Sequence, residues 1–185
     1  IDPFCLCEGF KGPEQVRDNK PYHDDITNEW VAPFFMAAIN TKNVHRSNAM
    51  MGHPYGENFL YDEMFSCGPG EAGQKKAELI SAYNPLLGDN VPKPGEGPSK
   101  ESRDSGSYDM LFTGVDAEEI KINVSVKGEG DPGYSSTSKM IAESALCLLF
   151  DCPELPGGIY TTAPAMGQKL IDRLENKGVM HFSEE

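Results

Sequence analysis

Residues 122–150 constrain the fold more than any other stretch, because they read as a strand, a glycine-rich turn and a capped helix that ends in the most apolar segment of the chain. The turn from Gly128 to Gly133 has the spacing G-x-G-x-x-G. This spacing marks a dinucleotide-binding loop when a strand precedes it and a helix follows it. The stretch therefore predicts either a phosphate-binding loop or a packed corner between strand and helix.

The strand before the turn favours a packed corner. A dinucleotide loop follows a buried parallel strand, which is a nearly unbroken apolar run, whereas residues 120–126 alternate between apolar and polar as a hairpin strand does. Pro132 fixes φ inside the loop and restricts Asp131 before it. After Leu149 the chain offers too few strands for a doubly wound sheet. We therefore predict no cofactor site in this chain, and glycines that permit positive φ and close packing.

The helix that follows the turn begins with polar residues, and a helix N-terminus can bind an anion. Asp131, Tyr134 and residues 135–138 supply these polar groups. The alternative is that Ser136 or Thr137 only caps the helix while Asp131 stabilises the turn. We favour the alternative, and a small anion- or nucleotide-binding domain that uses residues 128–138 stays open as a rival function.

A second polar cluster lies on a helix predicted to end near Met51. It contains Asn40, His45, Arg46 and Asn48. A histidine beside an arginine could bind a carboxylate or a phosphate, but cations at a solvated helix end also complement the helix dipole. The chain has no Ser-His-Asp signature, G-x-S-x-G motif or paired-histidine metal motif, so motifs identify neither catalytic residues nor a metal site.

Charge and cysteine content restrict the partners and the compartment. The net charge of −13 disfavours a nucleic-acid partner, because phosphate binding needs clustered lysine and arginine. Five cysteines without a disulfide-framework spacing predict a reducing intracellular compartment, with the cytoplasm favoured and peripheral association with a membrane or lipid droplet as the alternative. No transmembrane span is predicted, since no run of 18 apolar residues occurs.

The pattern as a whole predicts an α+β fold, with a mixed, partly antiparallel sheet covered by helices. Residues 1–25 read as an extended arm or inter-domain connection and residues 26–185 as one substrate-binding and interaction domain. The predicted elements are helices around 30–51 (interrupted at Pro33), 70–87, 99–103, 135–150 and 164–175, strands at 58–65, 108–113, 120–126, 159–162 and 179–182, a long surface loop at 84–97, and a glycine cap at Gly178.

Several segments in order resemble a known family. They are APFFMAAINTKNVHRSNAMMG (32–52), YGENFLYDEM (55–64), KPGEGPSKESRDSG (93–106), GEGDPGYSSTSKMIAESALCLL (128–149) and PGGIYTTAPAMGQKLIDRL (156–174). Together they resemble the C-terminal part of saccharopine dehydrogenase-like oxidoreductases, including trans-acting enoyl reductases, from about Ile26 onward. Within these segments, Asn40, Arg46 and Asn48 match the family's N-T-x-x-x-x-R-S-N block, and Asp131 and Tyr134 match its D-P-G-Y block.

The resemblance implies a division of labour in a longer protein. In that family an N-terminal Rossmann domain, absent from this sequence, binds NAD(P), and the second, α+β domain shapes the substrate cleft and often supports dimerisation. The resemblance thus implies that the five matched residues line a cleft for a small or lipid-like substrate, and that these 185 residues alone are inactive and bind no cofactor. The rival is a non-enzymatic scaffold or lipid-associated protein that retains the fold.

Overall fold

A computed structural model describes residues 2–16, 19–83 and 95–185, and the chain divides into two units, residues 1–91 and 92–185. Each unit combines a three-stranded sheet with helices, which confirms the α+β class. Every strand pair in the described residues is antiparallel. The described residues therefore form two antiparallel sheets, whereas the sequence predicted one mixed, partly antiparallel sheet.

The first unit is built around a short sheet in which β2 is the central strand. Its elements are β1 (Tyr22–Asp24), β2 (Glu29–Pro33), α1 (Ala37–Met50), β3 (Met64–Gly68) and α2 (Gly70–Ala82), with the strand order β1-β2-β3. The core joins Ala32 of β2, Cys67 of β3 and Ala77 of α2, with Trp30 and Ile80 packed against it. Helix α2 therefore covers the sheet through small buried side chains.

The prediction of a helix around Trp30 was wrong, because residues Glu29–Pro33 form β2. Val31 and Ala32 are both buried between neighbouring strands. Pro33 ends the strand, where a missing N–H disturbs the ladder least. The helical part of the prediction is confirmed from Ala37 to Met50. The predicted strand at 58–65 is wrong for its first six residues, since β3 begins only at Met64.

The N-terminal residues that were predicted as an extended arm take part in the first unit. Tyr22–Asp24 form β1, and Phe4 and Cys7 are buried. The side chain of Gln15 joins this region to the segment before β3: its Nε2 donates to the carbonyl oxygen of Phe59 at 3.2 Å, and its Oε1 accepts from the backbone N–H of Tyr61 at 3.0 Å.

The second unit has a hairpin at its centre. Its elements are α3 (Lys100–Ser105), β4 (Ser107–Val115), β5 (Lys121–Glu129), α4 (Ser135–Leu146), a π-helical turn (Cys147–Asp151), α5 (Thr162–Met166), α6 (Gln168–Asn176) and β6 (His181–Glu184), with the strand order β4-β5-β6. The predicted hairpin is confirmed, with Met110 opposite Val126 and Phe112 opposite Val124. The predicted helical turn near 99–103 is α3.

The helices of the second unit pack around Cys147 and Cys152. These two cysteines and Met166 are buried together, with Leu155, Ala165 and Leu170 against them. Arg173 of α6 lies between two carboxylates, 3.1 Å from Asp151 Oδ2 and 3.6 Å from Glu143 Oε2. This arginine ties α6 to α4 and to the π-helical turn.

The C-terminal predictions hold in part. Residues 159–162 do not form a strand, and the single helix predicted from 164 is two helices separated at Gly167, whose φ is +49°. The predicted cap is confirmed, since Gly178 has φ +61° and its N–H donates to the carbonyl oxygen of Glu175 at 2.9 Å. Most of the loop predicted at 84–97 lies outside the described residues.

Candidate functional site

The five predicted substrate-cleft residues lie on both units. Asn40, Arg46 and Asn48 are on α1 of the first unit, and Asp131 and Tyr134 are at the turn before α4 of the second. Their role in substrate binding stays a prediction. Their hydrogen bonds show which of them still have polar atoms to offer.

Asn40 takes part in a polar network that has the features of a functional site. Its amide Nδ2 lies 2.9 Å from Oε1 and 3.0 Å from Oε2 of Glu63. The carboxylate of Glu63 also accepts a hydrogen bond from the Tyr61 side chain. All three side chains are half-buried, so the network is sheltered from water but is not sealed.

Burial shifts the acid–base properties of this network. It raises the pKa of Glu63, while the hydrogen bonds from Asn40 and Tyr61 oppose the rise and the charge of Asp62 adds to it. Burial, followed by the Glu63 charge, raises the pKa of Tyr61 far above its ordinary value. Tyr61 therefore stays protonated at neutral pH, and its hydroxyl donates a hydrogen bond to Glu63. The raised pKa of Glu63 brings the titration of that carboxyl closer to neutral pH, and such shifts are typical of functional sites.

Sequence reasoning did not single out Tyr61 and Glu63. Both lie in the block YGENFLYDEM, where the alternation of apolar and polar residues predicted a strand. The available signal was the presence of an acid and a tyrosine in the same block. No local pattern pairs them with Asn40, because the Asn40–Glu63 contact spans 23 positions.

Both polar atoms of the Asn48 side chain bond to the chain's own backbone. It is only 3% exposed. Its Nδ2 donates to the carbonyl oxygen of Gly56 at 2.9 Å, and its Oδ1 accepts from the backbone N–H of Tyr55 at 3.0 Å. The side chain therefore holds the loop that follows α1 against the end of the helix.

His45 and Arg46 face different surroundings on α1. His45 is 3% exposed, its ring lies 4.4 Å from that of Phe4 and 5.7 Å from that of Phe59, and burial lowers its pKa. In the described part of the chain its Nε2 has no hydrogen-bond partner. A solvated helix end is thus the wrong interpretation for His45. Arg46 Nη1 donates to the carbonyl oxygen of Leu6 at 2.7 Å.

Asp131 occupies the helix N-terminus that could otherwise bind an anion. Its Oδ2 accepts from the N–H of Tyr134 at 2.8 Å, and its Oδ1 accepts from the N–H of Ser135 at 2.9 Å. These bonds, led by that from Ser135, lower the pKa of the carboxyl. The predicted stabilisation of the turn by Asp131 is confirmed. The predicted cap by Ser136 or Thr137 is wrong, because neither side chain accepts a hydrogen bond from the first turn of α4.

Two glycines of the turn are required by the structure, Gly128 by its packing and Gly130 by its backbone conformation. A Cβ at Gly128 would lie 2.2 Å from the ring of Tyr108, whose hydroxyl is 2.7 Å from Ser136 Oγ. Gly130 has φ +84°. Strand β5, which leads into the turn, lies between two antiparallel neighbours. These residues do not fit a dinucleotide, since the parallel strand and the free helix N–H groups that hold its phosphates are not provided here.

The side chain of Tyr134 is exposed and can contact a ligand. It is 53% exposed, while its backbone N–H is bound by Asp131. A Cβ at Gly97 would lie 3.3 Å from the Tyr134 ring, so the ring rests against the glycine and its position is defined. Tyr134 stays a candidate for substrate contact.

Comparison with known proteins supports a relationship to enoyl reductases. The chain is 35% identical to a Mycobacterium tuberculosis protein named "Putative trans-acting enoyl reductase", and the match covers 96% of this chain and 49% of that protein. It is 29% identical to the trans-acting enoyl reductase of Mycobacterium ulcerans, and the match covers 97% of this chain and 49% of that protein. A Mycobacterium bovis protein of the same name matches at 29% identity over 89% of this chain and 43% of its own length.

The chain spans about half the length of these curated relatives. No protein-family model matches it, and no solved structure does. Within the described ranges, no helix is long and apolar enough to cross a membrane. The same residues contain no group of three or more histidine, cysteine or acidic side chains placed to hold a metal ion.

Proposed function

We propose that this chain is the substrate-facing half of an enoyl reductase related to the saccharopine dehydrogenase-like oxidoreductases, and that the other half of the protein binds NAD(P). The observation that carries the proposal is the match of 96% of this chain to 49% of a relative named as a trans-acting enoyl reductase. A match of this kind is expected when a chain corresponds to one part of a two-part enzyme.

The network of Asn40, Tyr61 and Glu63 is the polar end of the proposed substrate cleft. Reduction of an enoyl group adds a hydride to one carbon of the C=C bond and a proton to the other, so the substrate half has to position the adjacent carbonyl and provide a proton. The Glu63 carboxyl is the proton donor of this network, because burial raises its pKa towards neutral pH. Asn40 and Tyr61 hold that carboxyl in place through hydrogen bonds.

The cofactor is assigned to the other half because the turn from Gly128 to Gly133 is a poor phosphate site. The carboxylate of Asp131 already takes the N–H groups of Tyr134 and Ser135. A phosphate at the same place would meet that carboxylate and be repelled by it. This geometry supports a division in which the present chain determines the substrate and the other half supplies the hydride donor.

Calorimetric titration of NADH and NADPH tests the division. We expect no binding in the micromolar range to the present chain, and binding to the full-length Mycobacterium tuberculosis relative titrated in parallel. Micromolar binding to the present chain would show that it carries its own cofactor site and would overturn the division. Absence of binding to the relative would overturn the assignment of NAD(P) to this type of protein.

A chimera tests the role in catalysis. The matching half of the Mycobacterium tuberculosis relative is replaced by this chain, and oxidation of NADPH is followed with an enoyl thioester as substrate. We expect turnover by the chimera with a substrate preference that differs from that of the relative. The proposed substrate-facing role would be contradicted if the chimera folds and binds NADPH but does not reduce the enoyl thioesters that the relative reduces.

A further inference from the structure

Two thiols of the second unit lie together in its interior, where α4 ends. Cys147 is fully buried and Cys152 is 7% exposed, and both are free cysteines. They belong to one packed cluster with Met166. The proposed chemistry of the chain uses neither of them, so a buried pair of thiols is left without an assigned role.

The π-helical turn is what brings the two cysteines together. Cys147 begins the turn and Cys152 caps it, and the N–H of Cys152 donates to the carbonyl oxygen of Cys147 at 3.1 Å. In a regular α-helix, side chains five positions apart point to different sides. A backbone bond across five positions places them one above the other instead, and such turns are frequent at functional sites.

The two thiols differ in their access to solvent. Cys152 borders an open depression of about 390 Å³, which Pro156, Pro164 and Lys169 also line. Burial, followed by hydrogen bonding with Cys152, raises the pKa of Cys147 to about 11. Because the thiolate is the reactive form of cysteine, Cys147 is inert towards reagents at neutral pH. A small reagent that enters the depression therefore meets the sulfur of Cys152 first.

We propose that Cys147 and Cys152 are a reversible oxidation site that forms a disulfide when the chain meets a peroxide. Cys152 is the thiol that is oxidised first, and Cys147 is the thiol that resolves the product. This inference is independent of the proposed enzymatic function, because it uses none of Asn40, Tyr61 and Glu63.

The reaction has two steps. The sulfur of Cys152 attacks one oxygen of the peroxide, the O–O bond breaks, and the product is a sulfenic acid and one water. The sulfur of Cys147 then attacks the Cys152 sulfur, the S–O bond breaks, and the hydroxide leaves as a second water with the proton of the Cys147 thiol. Two thiols have been oxidised to a disulfide and hydrogen peroxide has been reduced to two waters, and a dithiol reductant restores the pair.

Mass spectrometry of the peroxide-treated chain tests the proposal. The reduced chain is exposed to hydrogen peroxide, unfolded, labelled with N-ethylmaleimide and digested with trypsin. Both cysteines then lie in one peptide, residues 140–169, which contains no other cysteine. We expect this peptide to lose two hydrogen atoms and to take up no label. Treatment with dithiothreitol before labelling should restore both labels.

Cys67 is the matched internal control. It is 7% exposed, as Cys152 is, but its packed cluster in the first unit contains Ala32 and Ala77 and no other cysteine among the described residues. We expect Cys67 to lose its label at least about tenfold more slowly than the pair does, because a buried thiol without a resolving partner is protected.

Two serine variants test the order of the steps. In Cys147→Ser the sulfenic acid at Cys152 has no resolving thiol, so we expect it to be trapped by dimedone. In Cys152→Ser we expect no dimedone adduct at Cys147, because the remaining thiol is fully buried. Unchanged circular dichroism shows that both variants keep the fold, and the measurement on the unsubstituted chain does not depend on them.

Three results would overturn the proposal. One is full labelling of both cysteines after a peroxide treatment that oxidises the exposed Cys5. Another is oxidation of Cys152 to a sulfinic acid, or of Met166 to a sulfoxide, while Cys147 still takes up label. The third is a dimedone adduct that forms equally in the two serine variants, which would show that Cys152 is not the thiol that reacts first.

Discussion

Replacement of Asn48 by alanine decides whether this residue holds a loop or binds a substrate. The side chain is 3% exposed and bonds the carbonyl oxygen of Gly56 and the N–H of Tyr55 at 2.9 and 3.0 Å. Each hydrogen bond contributes about 1 kcal/mol net. We therefore expect Asn48→Ala to lower the free energy of unfolding of the first unit by about 2 kcal/mol.

The single tryptophan makes the assay specific to one unit. Trp30 lies in β2 of the first unit, so its fluorescence during urea unfolding reports the unit that contains Asn48. A loss of about 2 kcal/mol lowers the urea midpoint by about 1 M when the slope is about 2 kcal/mol per molar.

Asn43→Ala is the matched control. Asn43 is an exposed asparagine on the same helix, and its Nδ2 donates to the carbonyl oxygen of Ile39 at 3.1 Å. We expect its substitution to change stability by less than about 0.5 kcal/mol. Equal midpoints for the two variants would refute the loop-holding role, and Asn48 would then be a candidate for contact with substrate.

Three further predictions concern single titratable groups. Because burial lowers the pKa of His45, the free energy of unfolding of the first unit should fall as the pH drops below 6.5, and His45→Phe should remove this part of the pH dependence of the Trp30 urea midpoint. Hydrogen bonds lower the pKa of Asp131, so its stabilisation of the second unit should be complete above pH 3.8 and should be lost as the pH falls through the lowered pKa. Asp131→Asn should not show this loss of stability at low pH in thermal melts followed by circular dichroism. In the chimera with the mycobacterial relative, Glu63→Gln should reduce enoyl turnover about 100-fold while NADPH affinity is unchanged. Equal turnover would exclude the Glu63 carboxyl as proton donor.

The hairpin and the turn after it could be predicted because their determinants are local. Alternation in residues 120–126 specifies a half-exposed strand, and that pattern is incompatible with the buried parallel strand of a dinucleotide fold. Asp131 lies within four residues of the N–H groups that it accepts from. Gly178 likewise bonds within its own helix end.

The segment around Trp30 could not be assigned from its own residues. Its apolar residues fit a helix that runs on to Ile39 as well as a buried strand followed by a helix, and periodicity alone does not separate these for a short apolar run. Pairing of β2 with β3, which lies more than thirty positions further along, decides the outcome. The polar network was missed for the same reason, since Asn40 meets Glu63 only once α1 and the segment before β3 have packed.

The hydrogen-bond partners of each polar side chain distinguish residues that stabilise the fold from residues that are candidates for catalysis. Asn48 and Asp131 match blocks of the resembled family, yet their hydrogen bonds go to the chain's own backbone. A ligand that replaced those bonds would leave backbone groups unpaired, at a cost of about 1–3 kcal/mol for each. Tyr61 and Glu63 bond to each other and to a side chain, and the pKa of each is raised by burial. A proton can be exchanged at Glu63 without breaking a hydrogen bond to the backbone, so the chemistry of this chain is better sought at this network than at Asn48 or Asp131.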